Sequence, residues 1–179
     1  MHPRFEELSA HLHATRAALK TAVDAVPIAA RRHVPPAGGW SVAGVVHHLS
    51  VVESVVAKVL GAQIEASRAG GLGPERETGP VLPTIDGGWV VDRERKIAAP
   101  KNLEPPVDVT FEAAWAGLEQ SRAALLQVAR EADGLAIGEV VFPHPVAGPL
   151  NGYEWLAFVG HHETRHAAQI REIAAAVRP

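Results

Sequence analysis

Two histidines four residues apart, His162 and His166, stand in the string HETRH, and a third candidate, His48, stands in the upstream string VVHHLS. Imidazoles at positions i and i+4 of a helix lie one turn apart on the same face, so a pair of this kind can bind one metal ion. The string also matches H-E-x-x-H of zinc proteases, which makes Glu163 the candidate catalytic residue, a general base. The protease continuation H-x-x-G-x-x-H is missing from the 13 residues that follow His166. A third ligand must therefore come from upstream, and His48 is the candidate. The 179 residues contain ten histidines and no cysteine. Any metal is then held by imidazole, carboxylate or backbone oxygen, and any thiol in the chemistry must arrive as a small molecule.

Three imidazoles leave at least one coordination position open, which separates a catalytic site from a closed structural one. Zn, Ni, Fe and Cu all accept imidazole; zinc or nickel is the expected divalent metal. A bound divalent ion lowers the pKa of a coordinated water or thiol, so either can become the nucleophile. Metal-dependent transfer of a thiol, metal-dependent hydrolysis and a non-catalytic metal-stabilised binding module are the three readings that follow. Glu163 and Gln169 are candidates to accept the outward N–H of a ligating imidazole. His144, between two prolines, is a candidate for the mouth of a site, and Trp89 for its wall. Glu53 is expected to pair with Arg165 or His47, while Trp40 and Trp155 are expected core anchors.

The elements that must position these residues are helical. Thirty-one alanines stand against nine aromatics, and Ala is the strongest helix former. Phe5, Leu8, Leu12, Leu19, Val23 and Val26 predict a helix over about residues 3 to 26. Ser41 caps a second helix running to about residue 69, with Trp40 expected to pack on Val45. In it, Val45, His48, Val52, Val55 and Val59 read as the inward stripe, whereas His47 shares a polar stripe with Ser54 and Lys58. A third helix, capped by Asp108 or Thr110, ends before Gly134. A short strand is expected at Val140 to Phe142. Asn151 and Glu154 form a capping box for a fourth helix, with Leu150 and Trp155 as its staple and Val177 near its end. There Val159, His162, His166, Ile170, Ile173 and Val177 share one stripe. The expected fold is all-α, a four-helix bundle with a long crossover between the second and third helices, residues 70 to 108. The whole span 1–179 is expected to be a single domain.

Composition narrows the partners. The formal charge is −3 and no Lys/Arg run is present, so nucleic acid is not an expected partner. The N-terminal string MHPRFEELSAHLH has no apolar h-region, and no stretch reaches 18 uninterrupted apolar residues; no membrane association and a cytoplasmic location are expected.

The strings GGWSVAGVVHHLSVVE, KIAAPKNLEPP and FPHPVAGPLNGYEWLAFVGHHETRHAAQI resemble the DinB/YfiT-like superfamily, in particular its second DinB-like branch. HP-x-x-GPLN-x-x-EW followed by H-x-x-x-H-x-x-QI is the most specific part. The resemblance implies a divalent metal on His48, His162 and His166, the same residues that helical phase selects. It also implies a small-molecule substrate and a homodimer. Family members include S-transferases and isomerases using bacillithiol, mycothiol or glutathione as the low-molecular-weight thiol cosubstrate, beside metal-dependent hydrolases.

Overall fold

The computed structural model describes residues 1–36 and 38–176. Four long helices carry it: α1 (Pro3–Asp24), α2 (Val42–Ala69), α4 (Phe111–Glu131) and α5 (Gly152–Ala176), with a one-turn helix α3 (Gly88–Val91) in the crossover. α2 packs along α4, α1 along α5, and α2 also meets α5, which closes the bundle. The all-α four-helix bundle with a long second connection is therefore present, and a small β-hairpin is added to it.

Local chemistry sets the helix ends. Pro3 sits in the first turn of α1, where its missing N–H removes nothing from the helix ladder. Ser41 Oγ accepts from the Gly44 N–H at 3.1 Å and Thr110 Oγ1 from the Ala113 N–H at 3.2 Å, so Thr110 rather than Asp108 caps α4. Gly134, just beyond α4, adopts φ +78°, a conformation open to glycine at no steric cost. At α5 the capping box is reciprocal: the Glu154 N–H donates to Asn151 Oδ1 at 3.1 Å, and Glu154 Oε2 accepts from the Asn151 N–H at 2.7 Å.

The predicted strand at Val140 to Phe142 is observed as β1 (Val141–His144), paired antiparallel with β2 (Gly148–Asn151). This hairpin leads directly into α5, so His144 and the first turns of α5 share one rigid corner. α2 is long and apolar enough, by length and composition, to cross a membrane, but most of its apolar window is buried against its neighbours. Val177, expected near the end of the last helix, lies outside the described residues.

One stripe is corrected. Val55 and Val59 are 49% and 38% exposed, whereas Leu49, Glu53, Val56, Leu60 and Ile64 are buried. Past His48 the packed face of α2 is turned towards α4 and α5, and Val52 and Val55 instead border an open cavity. The crossover, long for a connection without large elements, is packed rather than loose. It folds into turns at Leu82–Thr84 and Lys101–Leu103 and the helix α3, which lies on α5. A Cβ at Gly87 would collide with the His161 imidazole, so glycine is what lets this segment approach α5.

Candidate metal centre

α2 supplies His48, and α5 supplies His162 and His166 from consecutive turns. One nitrogen from each of the three rings lies within 4.8 Å of the other two. His162 Nε2 and His166 Nε2 are 3.0 Å apart. Nitrogens about 2.1 Å from one ion and about 90° apart would be separated by roughly that distance. Second partners fix which nitrogen faces the centre. His48 Nδ1 donates to the Leu103 carbonyl at 2.8 Å, and His166 Nδ1 donates to Gln169 Oε1 at 2.7 Å. Both rings are thereby left with an Nε2 lone pair, the tautomer being assigned from these acceptors.

All three rings are held neutral. Burial lowers the pKa of each, and the cationic forms of their neighbours lower it further: His162 falls well below the ordinary imidazole range, and His166 falls to about 3. Metal binding needs the neutral imidazole, so the folded protein presents the ligands already deprotonated. Donor type, convergence and tautomer all suit a divalent ion.

The three histidines line one side of a cavity of about 760 Å³, within the range of small-molecule sites. Its wall is aromatic. Trp89 from α3 lies parallel to Phe158 at 6.1 Å, Phe158 stacks on His162 at 5.3 Å, and His144 packs edge-on to Trp89 and Phe158. Trp89 and His144 thus stand where the sequence suggested, at the wall and mouth. Trp155 is buried against Phe142 and also lines the cavity. Trp40 packs on the His48 ring, with centroids 4.8 Å apart, in addition to closing the start of α2.

Glu163 is not brought to the histidines. Its carboxylate accepts from Arg16 Nε at 2.6 Å and Thr15 Oγ1 at 3.0 Å, and Arg122 Nη2 lies 2.9 Å away. Both oxygens are engaged by α1 and α4, and the residue does not line the cavity. The H-E-x-x-H string therefore contributes its two histidines to one cluster and its glutamate to another. Glu53 pairs with neither Arg165 nor His47; it binds Arg122 at 2.5 Å, Arg16 at 3.0 Å and Ser121 at 2.8 Å. α2 turns Glu53 towards α1 and α4, whereas His48, more than a turn earlier, faces the cavity.

Sequence reasoning gave no site role to Arg165. It lies between His162 and His166, is 7% exposed, and donates to the carbonyls of Val90, Asp92 and Arg95. A charged residue beside a ligand pair, on the edge of an apolar stripe, is the signal that could have marked it.

Comparison with known proteins agrees on the fold. The sequence profile of the DinB superfamily matches residues 11–170. The chain is 32% identical over 146 residues to an uncharacterized protein, YuaE, of Bacillus subtilis (strain 168), an alignment covering 78% of this chain and 80% of the relative. It is also similar to the crystal structure of TT2238, a four-helix bundle protein, with a TM-score of 0.62 and 22% identity, covering 94% of this chain and 98% of that one.

Proposed function

This chain belongs to the DinB superfamily, and from that premise we propose that it is a metal-dependent enzyme that transfers a low-molecular-weight thiol to an electrophilic small molecule. The observation that supports this reading is the convergence of three neutral imidazoles on a cavity far larger than an ion needs. A divalent metal, zinc or nickel, would be held by His48, His162 and His166 and would supply the acidification of a coordinated thiol.

The protein's own residues then do three things. Leu103 and Gln169 fix the ring orientations of His48 and His166. Trp89, Trp155 and Phe158 give one side of the cavity a dry, apolar surface that excludes water from a reacting nucleophile. The rest of the volume holds both partners in contact, which converts a bimolecular encounter into a local one. With no cysteine in the chain, the sulfur nucleophile is the cosubstrate's, of the bacillithiol, mycothiol or glutathione type.

Hydrolysis by an activated water is less well supported. A hydrolase of the H-E-x-x-H kind needs a carboxylate base beside the metal, and Glu163 is committed to Arg16, Thr15 and Arg122. Incubating zinc- or nickel-loaded protein with each thiol and monochlorobimane tests the proposal. Thiol-dependent conjugation above the uncatalysed rate, abolished by a chelator, is expected. Absence of turnover with all three thiols and both metals would overturn it.

A further inference from the structure

Among the described residues, the guanidiniums that reach the bundle interior have carboxylate partners, with one exception. Arg16 pairs with Glu53 and Glu163, and Arg122 with the same two acids. Arg165 does not: no carboxylate lies within ion-pair distance of it among the described residues, and its recorded partners are three backbone carbonyls. Three carbonyl oxygens accept from its Nη1 and Nη2 groups, and the carboxylates of Asp92 and Glu172 act on its charge only from beyond ion-pair distance. A buried charge in that state is costly unless a counter-ion is supplied.

Arg165 lines the same cavity as the three histidines. Two other cations line it, Arg93 and Lys96. Arg93 is neutralised by Glu172 outside the cavity at 2.6 Å, and Lys96 has no recorded ion pair. Glu104 is the acid among the lining residues. Asp92, the acid next to the Arg165 carbonyl partners, turns its carboxylate to the backbone N–H groups of Glu94 and Arg95. Three cationic side chains and one carboxylate thus line the cavity, together with its aromatic wall.

We infer that the cavity contains a subsite for an organic anion, in which a carboxylate or phosphate on the small-molecule ligand is bound between Arg165 and Lys96 while its apolar body rests on Trp89, Phe158 and Trp155. The guanidinium fork suits either anion, and Lys96 at the exposed mouth adds a second, mobile donor. This subsite deepens the proposed function by assigning a charge to the ligand of the same cavity. It rests on that cavity being the ligand site, but not on the identity of the reaction.

The test uses isothermal titration with three probes, 4-phenylbutyrate, phenethyl phosphate and the neutral 4-phenyl-1-butanol, against zinc-loaded and chelator-treated protein. At least one anion should bind roughly tenfold or more tightly than the alcohol in both forms. Arg165→Gln, which keeps amide donors for the backbone carbonyls, should abolish this preference. Lys96→Gln, at an exposed position where folding is not at stake, should reduce it several-fold, with the alcohol unchanged in both variants. The two anions against each other show which chemistry the subsite prefers. Equal binding of anions and alcohol, or no binding of either anion at millimolar concentration, would overturn the subsite. So would a preference that needs zinc and survives both substitutions, since the anion would then be bound by the metal alone. A preference that persists in protein with no thiol-transfer activity, and is lost in Arg165→Gln, would support the subsite while removing the proposed reaction.

Discussion

Two buried polar clusters share α5, and adjacent residues, His162 and Glu163, belong to different ones. The first ties the bundle together. Arg16 of α1, Glu53 of α2, Arg122 of α4 and Glu163 of α5 contribute one charged group from each long helix, and Arg16 and Arg122 add bonds to the Leu118 and Leu12 carbonyls. Its charges are matched and its oxygens filled. The second, His48, His162 and His166 with Arg165, has converging imidazole nitrogens and a cation with no carboxylate in ion-pair distance among the described residues. Closed chemistry holds helices; open chemistry waits for a ligand. The difference teaches that burial and ionisable groups alone do not mark a site, since both clusters have them. Convergence on an open cavity marks it.

Removing one side of the closed cluster should be the most damaging change. Glu163→Ala leaves two guanidiniums without half of their counter-charge, and a loss of about 3 to 5 kcal/mol is expected in urea unfolding. Metal bound per folded molecule should stay the same. A Glu163→Ala protein of unchanged stability that fails to load metal would break the comparison, because the glutamate would then belong to the open cluster.

The converse substitution is His162→Ala. Metal loading measured by elemental analysis should fall from about one ion per chain to near zero, with metal-free stability much less affected than in Glu163→Ala. Full loading in this variant and in His48→Ala would refute the ligand set.

The third expectation concerns protons. In metal-free protein His166 titrates at about 3 when folded, and His48 and His162 are also lowered, against an ordinary imidazole value of about 6.5 when unfolded. The unfolded chain then binds more protons throughout that window, so stability is greatest above about pH 6.5 and declines as pH falls towards 3. The slope of unfolding free energy there should flatten in His166→Ala; an unchanged slope would assign the effect elsewhere.

Gln169→Leu should give the smallest change, weakening metal affinity by about 10- to 100-fold in competition titrations with a chromophoric chelator while leaving folding intact. No weakening would mean that the 2.7 Å bond to His166 does not set the ring's tautomer.

Much of the bundle was legible because its signals are local. Ser41, Asn151 with Glu154, and the 3.6-residue periodicity each report on a few neighbouring residues, and the helix bounds followed within a turn. His48, His162 and His166 were legible for the same reason: helical phase alone puts them on inward faces. Gln169 and Trp89 also took the places expected of them, beside a ligating imidazole and at the cavity wall. The partners of Glu53 and Glu163 were not legible. Whether an inward carboxylate on α5 meets a metal or an arginine depends on what α1 and α4 bring to it, and those residues are separated from it by 147 and 41 positions.

The amino-acid sequence by itself determined the helices, their caps, the inward direction of three histidines and the fact that no sulfur nucleophile resides in the chain. The tertiary structure alone decided which buried charges are answered. Packing put Arg16 and Arg122 between Glu53 and Glu163, and it set Arg165 against a cavity edge where its hydrogen bonds go to backbone carbonyls. The physical reason is range: capping and periodicity act within a turn of one helix, whereas charge compensation in a low-dielectric interior depends on which groups from distant segments come within about 4 Å.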